Sequence, residues 1–313
     1  MKRALIAIGG NALCHPAKVL SVKEQFATSR ETAVLLTELI KDGWQLVLTH
    51  GNGPQVGVKM QARSILGIEP GSVPLGLCGA ETEGEMGYML QQTMGNALRG
   101  AGLNTKIISV VTQVVVDQQD GAFTEPTKPI GMYLEKEDAA LLVEKHGWVM
   151  KEHSNGLWRR YVASPKPQHI VELPSIRCLV RENIIPIVGG GGGVPVVQVN
   201  GAYEGVAAVI DKDLTAALLA FELELDSLVI VTGVSAVHKG FGTSQAQPLF
   251  ELKVADLRKL DEAGEFAAGT MQPKINAATE FLEKGGQEVL ITDIENLAAA
   301  MRKEPETGTW IRA

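Results

Sequence analysis

The sequence predicts an α/β fold in which a mainly parallel β-sheet carries helices on both faces and a small lid subdomain is inserted. Apolar, β-branched runs alternate with stretches of helical periodicity, as in chains that build such layers. The apolar runs are continuous, which is typical of strands buried on both faces. This alternation of strand-like and helical segments stops between residues 117 and 167, where recurring prolines and glycines indicate short strands and hairpins.

The amino-terminal elements follow in regular order. Residues 4–8 predict a buried strand, and a helical period runs from about Val22 to Lys41. A second buried strand covers 46–50, and a proline-free helix covers 80–99. The β-branched run at 107–116 predicts one further strand before the lid.

The same alternation resumes after the lid. A strand at 184–188 enters a glycine run, and residues 194–206 predict a hairpin whose turn is Asn200-Gly201. The remaining predicted elements are an amphipathic helix at 213–224, a strand at 227–232, a helix at 274–284 and a strand at 288–292.

Composition and charge exclude several classes of protein. Hydrophobic residues make up 45% of the 313 residues, as in an ordinary globular protein with a core. The net charge of −7 argues against non-specific nucleic-acid binding. No stretch approaches the ~20 apolar residues of a membrane helix, and the first apolar run ends in glycine, unlike a signal peptide. Cys14, Cys78 and Cys178 are too widely spaced for a disulfide framework or a metal site. We therefore expect a cytoplasmic protein without membrane or nucleic-acid partners.

Four glycine-rich segments follow predicted strands. In open parallel sheets ligands bind beyond the carboxyl ends of the strands, where glycine lets backbone N–H groups approach phosphate oxygens. Glycine often merely ends a strand, so only the repetition of the pattern indicates a ligand site. The segments are Gly9-Gly10-Asn11, Gly51-Asn52-Gly53, Gly189–Gly193 and Gly240–Thr243.

Two common nucleotide-binding motifs do not fit this chain. There is no G-x-x-x-x-G-K-[ST] sequence, which excludes a Walker-type ATPase. The run Gly189–Gly193 leads into a β-branched, proline-containing segment and not into a helix, so it fails the context of a dinucleotide fingerprint.

Three lysines occupy unusual positions. Lys128 lies in a rigid loop between two prolines, whereas Lys212 and Lys274 each open a predicted helix. The helix dipole disfavours a cation there unless an anionic ligand shares the place. Phosphoryl transfer depends mainly on positive charge around the moving group, so these are candidate catalytic residues. Each of them alone is equally compatible with a solvated surface lysine.

Acidic side chains and one histidine complete the candidate set. Asp211 and Asp213 flank Lys212, and Asp213 is either a helix N-cap, an acid that orients lysines, or part of a magnesium–nucleotide site. His50 precedes Gly51 and is either a general base or a structural histidine at a buried strand end.

The chain resembles the amino-acid kinase superfamily and, within it, the carbamate kinases. The segments THGNGPQVG (49–57) and VIDKDL (209–214) are the most specific, and matching segments occur along almost the whole chain. Related kinases carry a lysine in the first strand's K-x-G-G motif. This chain has Ala7 there, as carbamate kinases do, and Lys128 matches the lysine that replaces it from the inserted lobe.

This resemblance implies one amino-acid-kinase domain over 1–313, an open αβα sandwich and a homodimer. Residues 1–200, with the lid at about 117–167, would hold carbamate or carbamoyl phosphate, and 201–313 would hold the nucleotide. The implied reaction is reversible phosphoryl transfer between carbamoyl phosphate and ADP, with Mg²⁺, in the catabolism of arginine, agmatine or purines.

The resemblance also assigns roles to individual residues. This chain departs from the family at Gly233, where an aspartate is usual, at His238, where tyrosine is common, and at Gln272, which replaces a frequent glycine. The implied catalytic residues are Lys128, Lys212, Lys274, Asp211 and Asp213; the substrate loops are Gly9, Gly10, Asn11, Gly51, Asn52 and Gly53; the nucleotide pocket is Gly190, Gly191, Thr232, Gly233, Val237, Met271 and Pro273; and no residue is assigned to bind metal.

Two alternatives remain open from the sequence. One is a kinase of another small carboxylate or phosphate in the same superfamily. The other is a nucleotide or metabolite sensor without catalysis, because a fold does not determine a function. The presence of all three lysines favours an enzyme.

Overall fold

The computed structural model describes residues 2–10, 13, 21–66, 74–153, 156–243, 245–267 and 269–313. Its strands are β1 (Lys2–Ile8), β2 (Trp44–His50), β3 (Lys106–Ser109), β4 (Gln113–Val116), β5 (Lys128–Leu134), β6 (Val149–Glu152), β7 (Trp158–Val162), β8 (Pro167–Ile170), β9 (Ile184–Ile187), β10 (Val194–Val199), β11 (Ala202–Gly205), β12 (Ser227–Val231), β13 (Val237–Lys239), β14 (Gln247–Leu249), β15 (Glu251–Lys253), β16 (Glu288–Thr292) and β17 (Thr309–Arg312). Its α-helices are α1 (Val22–Lys41), α2 (Gly53–Ile65), α3 (Leu75–Gly100), α4 (Lys136–His146), α5 (Leu173–Arg181), α6 (Lys212–Glu222), α7 (Val254–Glu262), α8 (Gln272–Glu283) and α9 (Leu297–Met301).

An eight-stranded sheet forms the middle layer. Its strand order is β15-β17-β16-β12-β1-β2-β9-β3, and every neighbouring pair is parallel except β16 with β17. The predicted mainly parallel sheet is therefore confirmed. Because β1, β2 and β9 are adjacent and parallel, their carboxyl ends meet at one edge of the sheet.

Side chains of the central strands alternate between two cores. Leu5 and Ala7 of β1 pack into a core shared with α6 and α8, whereas Ile6 and Ile8 pack into a core shared with α1 and α3. This period of two is what a strand requires when helices cover both faces. The result is the three-layer αβα arrangement that the sequence predicts.

Residues 107–116, predicted as one strand, instead form β3 and β4 in two different sheets. The chain leaves the main sheet after β3 and joins a four-stranded sheet of order β11-β10-β4-β8. At the break, the backbone N–H of Thr112 donates to a Glu83 carboxylate oxygen at 2.7 Å and its hydroxyl donates to the Val110 carbonyl at 2.9 Å. Side chains take the place of strand partners there, so the β-branched run is interrupted.

The hairpin of β10 and β11 is confirmed. Asn200 and Gly201 both have positive φ, 50° and 84°, as the twist of a two-residue hairpin turn requires.

The inserted segment 117–167, which the sequence predicts to be a lid, contains a three-stranded antiparallel sheet of order β5-β7-β6. Helix α4 connects β5 to β6 and was not predicted. Ile130 and Val162 of the lid pack against Val56, Leu75 and Cys78 of α2 and α3, and this small cluster is separate from the two main cores. In the described part of the chain, no helix is long and apolar enough to cross a membrane.

Candidate active site

A cleft of about 320 Å³ lies at the carboxyl edge of the central strands. Three of the four glycine-rich segments contribute to it, because β1, β2 and β9 end side by side. The fourth, Gly240–Thr243, follows β13 in a separate two-stranded sheet and does not line this cleft in the described residues. The lining includes Gly10, Gly51, Asn52, Gly53, Lys128, Arg159, Gly191, Gly193, Asp211, Lys212, Asp213, Pro273 and Lys274.

The glycine loop after β9 fits closely against its neighbours. Gly191 has φ +66°, and a Cβ there would lie 2.0 Å from the Asn52 amide nitrogen. Gly192 has φ +101°, and a Cβ there would lie 2.2 Å from the Ile210 carbonyl oxygen. The Asn52 amide in turn donates to the Thr82 hydroxyl at 2.8 Å. Only glycine permits this approach, so the loop holds Asn52 and the segment before Lys212 in a fixed relation.

Gly51 and Gly53 serve different ends of the loop after β2. A Cβ on Gly51 would lie 3.1 Å from the Gly10 backbone nitrogen, so Gly51 brings two loop backbones together. A Cβ on Gly53 would meet no atom within 4 Å, and Gly53 opens α2 at the cleft wall.

We expect Gly53→Ala to reduce turnover steeply while the melting temperature changes by only a few degrees. Its new Cβ meets no protein atom within 4 Å but enters the space that a ligand would occupy. The measurements are kcat, KM for the phosphoryl donor, and melting temperature. Gly57→Ala is the matched control, because Gly57 is also in α2, has equally open space and does not line the cleft.

The outcome separates a ligand-binding loop from a plain turn. Normal kinetics in folded Gly53→Ala would show that the loop only ends a strand. Gly51→Ala should also lose activity, but with a larger structural cost, because its Cβ presses on the Gly10 backbone at 3.1 Å.

The three predicted lysines converge on the two predicted aspartates. Lys128 Nζ, from β5 of the lid, lies 2.8 Å from Asp211 Oδ2. Lys212 donates to Asp213 Oδ1, and Lys274 Nζ lies 3.1 Å from Asp213 Oδ2. Residues from three distant segments thus form one charged cluster, which supports the sequence prediction that they act together.

Asp213 is the centre of this cluster. It is 2% exposed, and burial alone would raise its pKa, but Lys212 and Lys274 outweigh burial and hold the pKa at about 2. Its carboxylate therefore carries a full charge at neutral pH and fixes both ammonium groups. The helix N-cap is Asp211 and not Asp213: Asp211 Oδ1 accepts the Asp213 N–H at 2.9 Å.

His50 is a structural residue in this arrangement. It is 1% exposed, and burial lowers its pKa to about 4; the Gly51 carbonyl opposes the shift and Lys212 adds to it. Its Nδ1 lies 3.2 Å from that carbonyl, and its ring packs where a Cβ of Gly190 would lie. The imidazole is neutral at physiological pH and does not line the cleft, which argues against the general-base alternative.

Four of the seven predicted nucleotide residues lie in the cleft or at the same edge of the sheet. Gly191 and Pro273 line the cleft, and Thr232 and Gly233 follow β12 at the same edge of the sheet. Val237 is fully buried and donates its N–H to the Thr309 hydroxyl at 2.8 Å, so the structure gives it a packing role.

Four other predicted residues do not line the cleft or lie outside the described residues. Gly190 packs against the His50 ring, and Gly9 lies against the Val231 carbonyl at the sheet edge. Met271 packs against the core just before α8, and Asn11 lies outside the described residues.

Arg159 of β7 is a cleft residue that sequence reasoning missed. It lines the cleft, and its Nε donates to the Gly131 carbonyl at 3.0 Å. Its segment, 158–167, is among those that resemble the carbamate kinases, but the resemblance assigned no role to Arg159. With Arg159, four cationic side chains and two carboxylates line the cleft among the described residues, a net charge of +2. Such a site attracts a phosphoryl dianion and stabilises charge that builds on it.

The described residues form no group of three or more His, Cys, Asp or Glu side chains that would hold a metal ion. Both oxygens of Asp211 already accept hydrogen bonds, from Lys128 and from the Asp213 N–H. The carboxylates thus serve the lysines and the helix end.

Comparison with known proteins gives consistent matches over the whole chain. The amino acid kinase family model matches residues 2–293. The carbamate kinase of Pyrococcus furiosus is 43% identical over 314 residues, covering 99% of each chain. The carbamate kinase-like protein YahI of Escherichia coli is 42% identical over 311 residues, covering 98% of each. The structure of carbamate kinase from Giardia lamblia bound to AMP-PNP has a TM-score of 0.92 and 36% identity, covering 99% of this chain and 98% of that one.

Proposed function

From the premise that this chain belongs to the amino acid kinase family, we propose that it is a carbamate kinase. It transfers a phosphoryl group reversibly between carbamoyl phosphate and ADP, giving ATP and carbamate. The observation that carries the proposal is the cluster of Lys128, Lys212 and Lys274 around two aspartates in one cleft. Full-length similarity to several carbamate kinases supports it.

The lysines stabilise the transferring group electrostatically. In the ATP-forming direction, the P–O bond to the carbamoyl oxygen breaks while a P–O bond to the terminal oxygen of ADP forms. No protein nucleophile is needed, so catalysis consists of holding donor and acceptor in line and neutralising negative charge. Asp213 pairs with both Lys212 and Lys274 and so holds their ammonium groups close to the transferring phosphoryl group. Lys128 approaches the same group from the lid.

We assign the two substrates to different parts of the cleft. Residues 1–200 supply the loops for carbamate or carbamoyl phosphate, and residues 201–313 supply the nucleotide side. Mg²⁺ enters as part of the nucleotide substrate, because magnesium is commonly held by phosphates with few protein ligands. The absence of a carboxylate at Gly233 fits a metal that is carried chiefly by the nucleotide.

One assay separates this function from its rivals. ATP formation from Mg·ADP is measured with carbamoyl phosphate, acetyl phosphate and acetylglutamyl phosphate. We expect carbamoyl phosphate to give the highest kcat/KM. Faster turnover with another donor would favour a different small-carboxylate kinase. Nucleotide binding in calorimetry without turnover of any donor would favour a sensor.

We also propose a cytoplasmic homodimer acting in the catabolism of arginine, agmatine or purines. Support for a dimer comes from exposed apolar side chains on α3, on the edge strand β3 and in the residues directly after β3. These are Leu77, Tyr88, Ile108 and Val111. Light scattering coupled to size exclusion would distinguish a dimer of twice 33.5 kDa from a monomer.

The segment 117–167 is expected to act as a lid that brings Lys128 over the substrate. In the described residues a small apolar cluster joins β5 and β7 to α2 and α3, so closure can depend on the ligand. Hydrogen exchange in 128–134 and 158–162 should slow with saturating Mg·AMP-PNP and carbamate. Helix α1, which is remote from the cleft lining, is the internal control. Unchanged exchange in both lid strands would contradict a moving lid.

A further inference from the structure

A second buried carboxyl group lies beneath the cleft and has no place in the mechanism so far. Glu83 of α3 is 2% exposed and does not line the cleft. Its Oε2 accepts the Thr112 N–H at 2.7 Å. Its Oε1 is buried and, among the described residues, has no hydrogen-bond partner of normal geometry. In the described residues no cation is paired with Glu83, so a buried carboxylate in this position would be costly.

The surroundings of Glu83 favour its neutral form. Burial raises its pKa well above the usual value; the Thr112 N–H opposes this, the Glu172 carboxylate adds to it, and the Gly190 N–H opposes it. From β2, the titratable group that faces the same Gly190 position as the Glu83 side chain is His50, whose ring is neutral. No lysine or arginine is paired with Glu83 in the described part of the chain.

Thr112 connects Glu83 to both ends of the cleft's glycine loop. The Thr112 hydroxyl accepts the Gly189 N–H at 2.9 Å, and the Thr112 carbonyl accepts the Val194 N–H at 2.8 Å. Gly189 is also held on its other side by the Thr49 hydroxyl, which donates to its carbonyl at 2.9 Å. One contact from Glu83 thus fixes the residue that fastens the start and the end of the loop.

The neighbouring residue of the same helix turn supports the opposite wall of the cleft. Thr82 accepts the Asn52 amide at 2.8 Å, and Asn52 is the side chain against which Gly191 packs. Thr82 therefore holds Asn52 directly, and Glu83, the next residue of α3, holds the loop of Gly191 through Thr112. An error of about 1 Å in such a support is enough to misalign donor and acceptor.

We propose that Glu83 is a positioning residue that works in its protonated form, fixing Thr112 and through it the glycine loop that shapes the phosphoryl-transfer cleft. Its effect on turnover rests on the proposed function, whereas its protonation state does not. A neutral carboxyl accepts the Thr112 N–H as well as a glutamine carbonyl does and avoids an unpaired buried charge.

Two variants test the proposal. Glu83→Gln keeps the shape and the acceptor but cannot ionise, and we expect kcat within about threefold of the unchanged enzyme. Glu83→Leu leaves the Thr112 N–H unsatisfied, and we expect kcat to fall roughly tenfold or more with a smaller change in the KM for nucleotide. Glu85→Gln is the control on α3, since Glu85 forms an ion pair with Lys59 at 2.7 Å and does not line the cleft.

Melting temperature against pH gives a readout that needs no activity. The folded-state pKa of Glu83 is raised, so its stability contribution is intact at acidic pH and is lost as pH rises towards that folded-state pKa. Glu83→Gln lacks this loss. Its melting temperature should therefore rise relative to that of the unchanged protein as pH increases from 5 to 8. Glu85→Gln is measured alongside as the control.

Each outcome decides one part of the proposal. If the difference in melting temperature between Glu83→Gln and the unchanged protein does not change with pH, the proposal that Glu83 is neutral is wrong. Normal kcat in folded Glu83→Leu would overturn the positioning role. If Glu83→Leu does not fold, Thr112→Val replaces it, because valine removes the Gly189 contact and keeps the backbone N–H; normal kcat there would equally overturn the role. If the unchanged enzyme forms no ATP from carbamoyl phosphate, the proposed function fails while the pH result still stands.

Discussion

Replacing Lys212 with alanine should lower kcat by roughly a hundredfold or more while the protein stays folded. Lys212 opens α6, and its ammonium group donates to the buried Asp213 carboxylate, which aims it at the cleft. Charge on the phosphoryl group grows as the reaction proceeds, so a fixed cation stabilises the transition state more than the bound substrate. The loss should therefore appear mainly in kcat and less in KM.

The Lys212 experiment needs steady-state kinetics in the ATP-forming direction and a thermal melt. Lys259→Ala serves as the control, because Lys259 is a solvent-exposed lysine of α7 that pairs with Asp256 at 3.0 Å and does not line the cleft. A Lys212→Ala enzyme with near-normal kcat would remove this residue from the catalytic set. A variant that fails to melt cooperatively would instead call for Lys212→Met, which keeps the aliphatic stem.

Asp213→Asn should reduce both activity and stability, because one substitution releases two lysines. Lys212 and Lys274 would lose the charge that holds them, and we expect kcat to fall by about a hundredfold or more. Removing the charged partner of a buried pair also costs roughly 3 kcal/mol, so the melting temperature should drop by several degrees.

The pH dependence of the Asp213→Asn melt gives a further check. The folded-state pKa is depressed from 3.8 to about 2, so the stabilisation by Asp213 is present above pH 4 and is lost as pH falls towards 2. The gap between variant and unchanged protein should therefore be widest near neutral pH and should narrow below pH 4. Asp211→Asn is the matched comparison, since it removes the charge that pairs with Lys128, keeps a side-chain oxygen that can cap α6, and leaves Lys212 and Lys274 paired. Equal kinetic losses in the two variants would contradict a special role for Asp213.

Sequence patterns predicted the central sheet well because its strands are covered on both faces. Continuous apolar runs such as β1 and β12 have no other stable location than a buried parallel sheet. The pattern failed between β3 and β4, where the interruption depends on Glu83, which lies 29 residues away in sequence. Helix α4 was missed because it is short and mostly exposed, so it leaves little apolar periodicity.

The site shows the same division between local and long-range information. Lys212 and Lys274 were predictable because a lysine at a helix start is locally unfavourable. Arg159 and Glu83 lie in runs of charged or polar residues that look like ordinary surface. Their positions at the cleft and beneath it depend on packing between the lid, α3 and the glycine loop, which local patterns do not encode.

The origin of the cleft's positive charge has a consequence for substrate release. Lys128 and Arg159 both belong to strands of the lid, whereas Lys212, Lys274 and the two aspartates belong to the body. In the lid motion proposed above, opening removes two cations, and the body keeps two positive and two negative side chains in the cleft. Under that proposal the cleft is electrically neutral when open and carries +2 when closed, so it binds an anion tightly only while the lid also shields the anion from water.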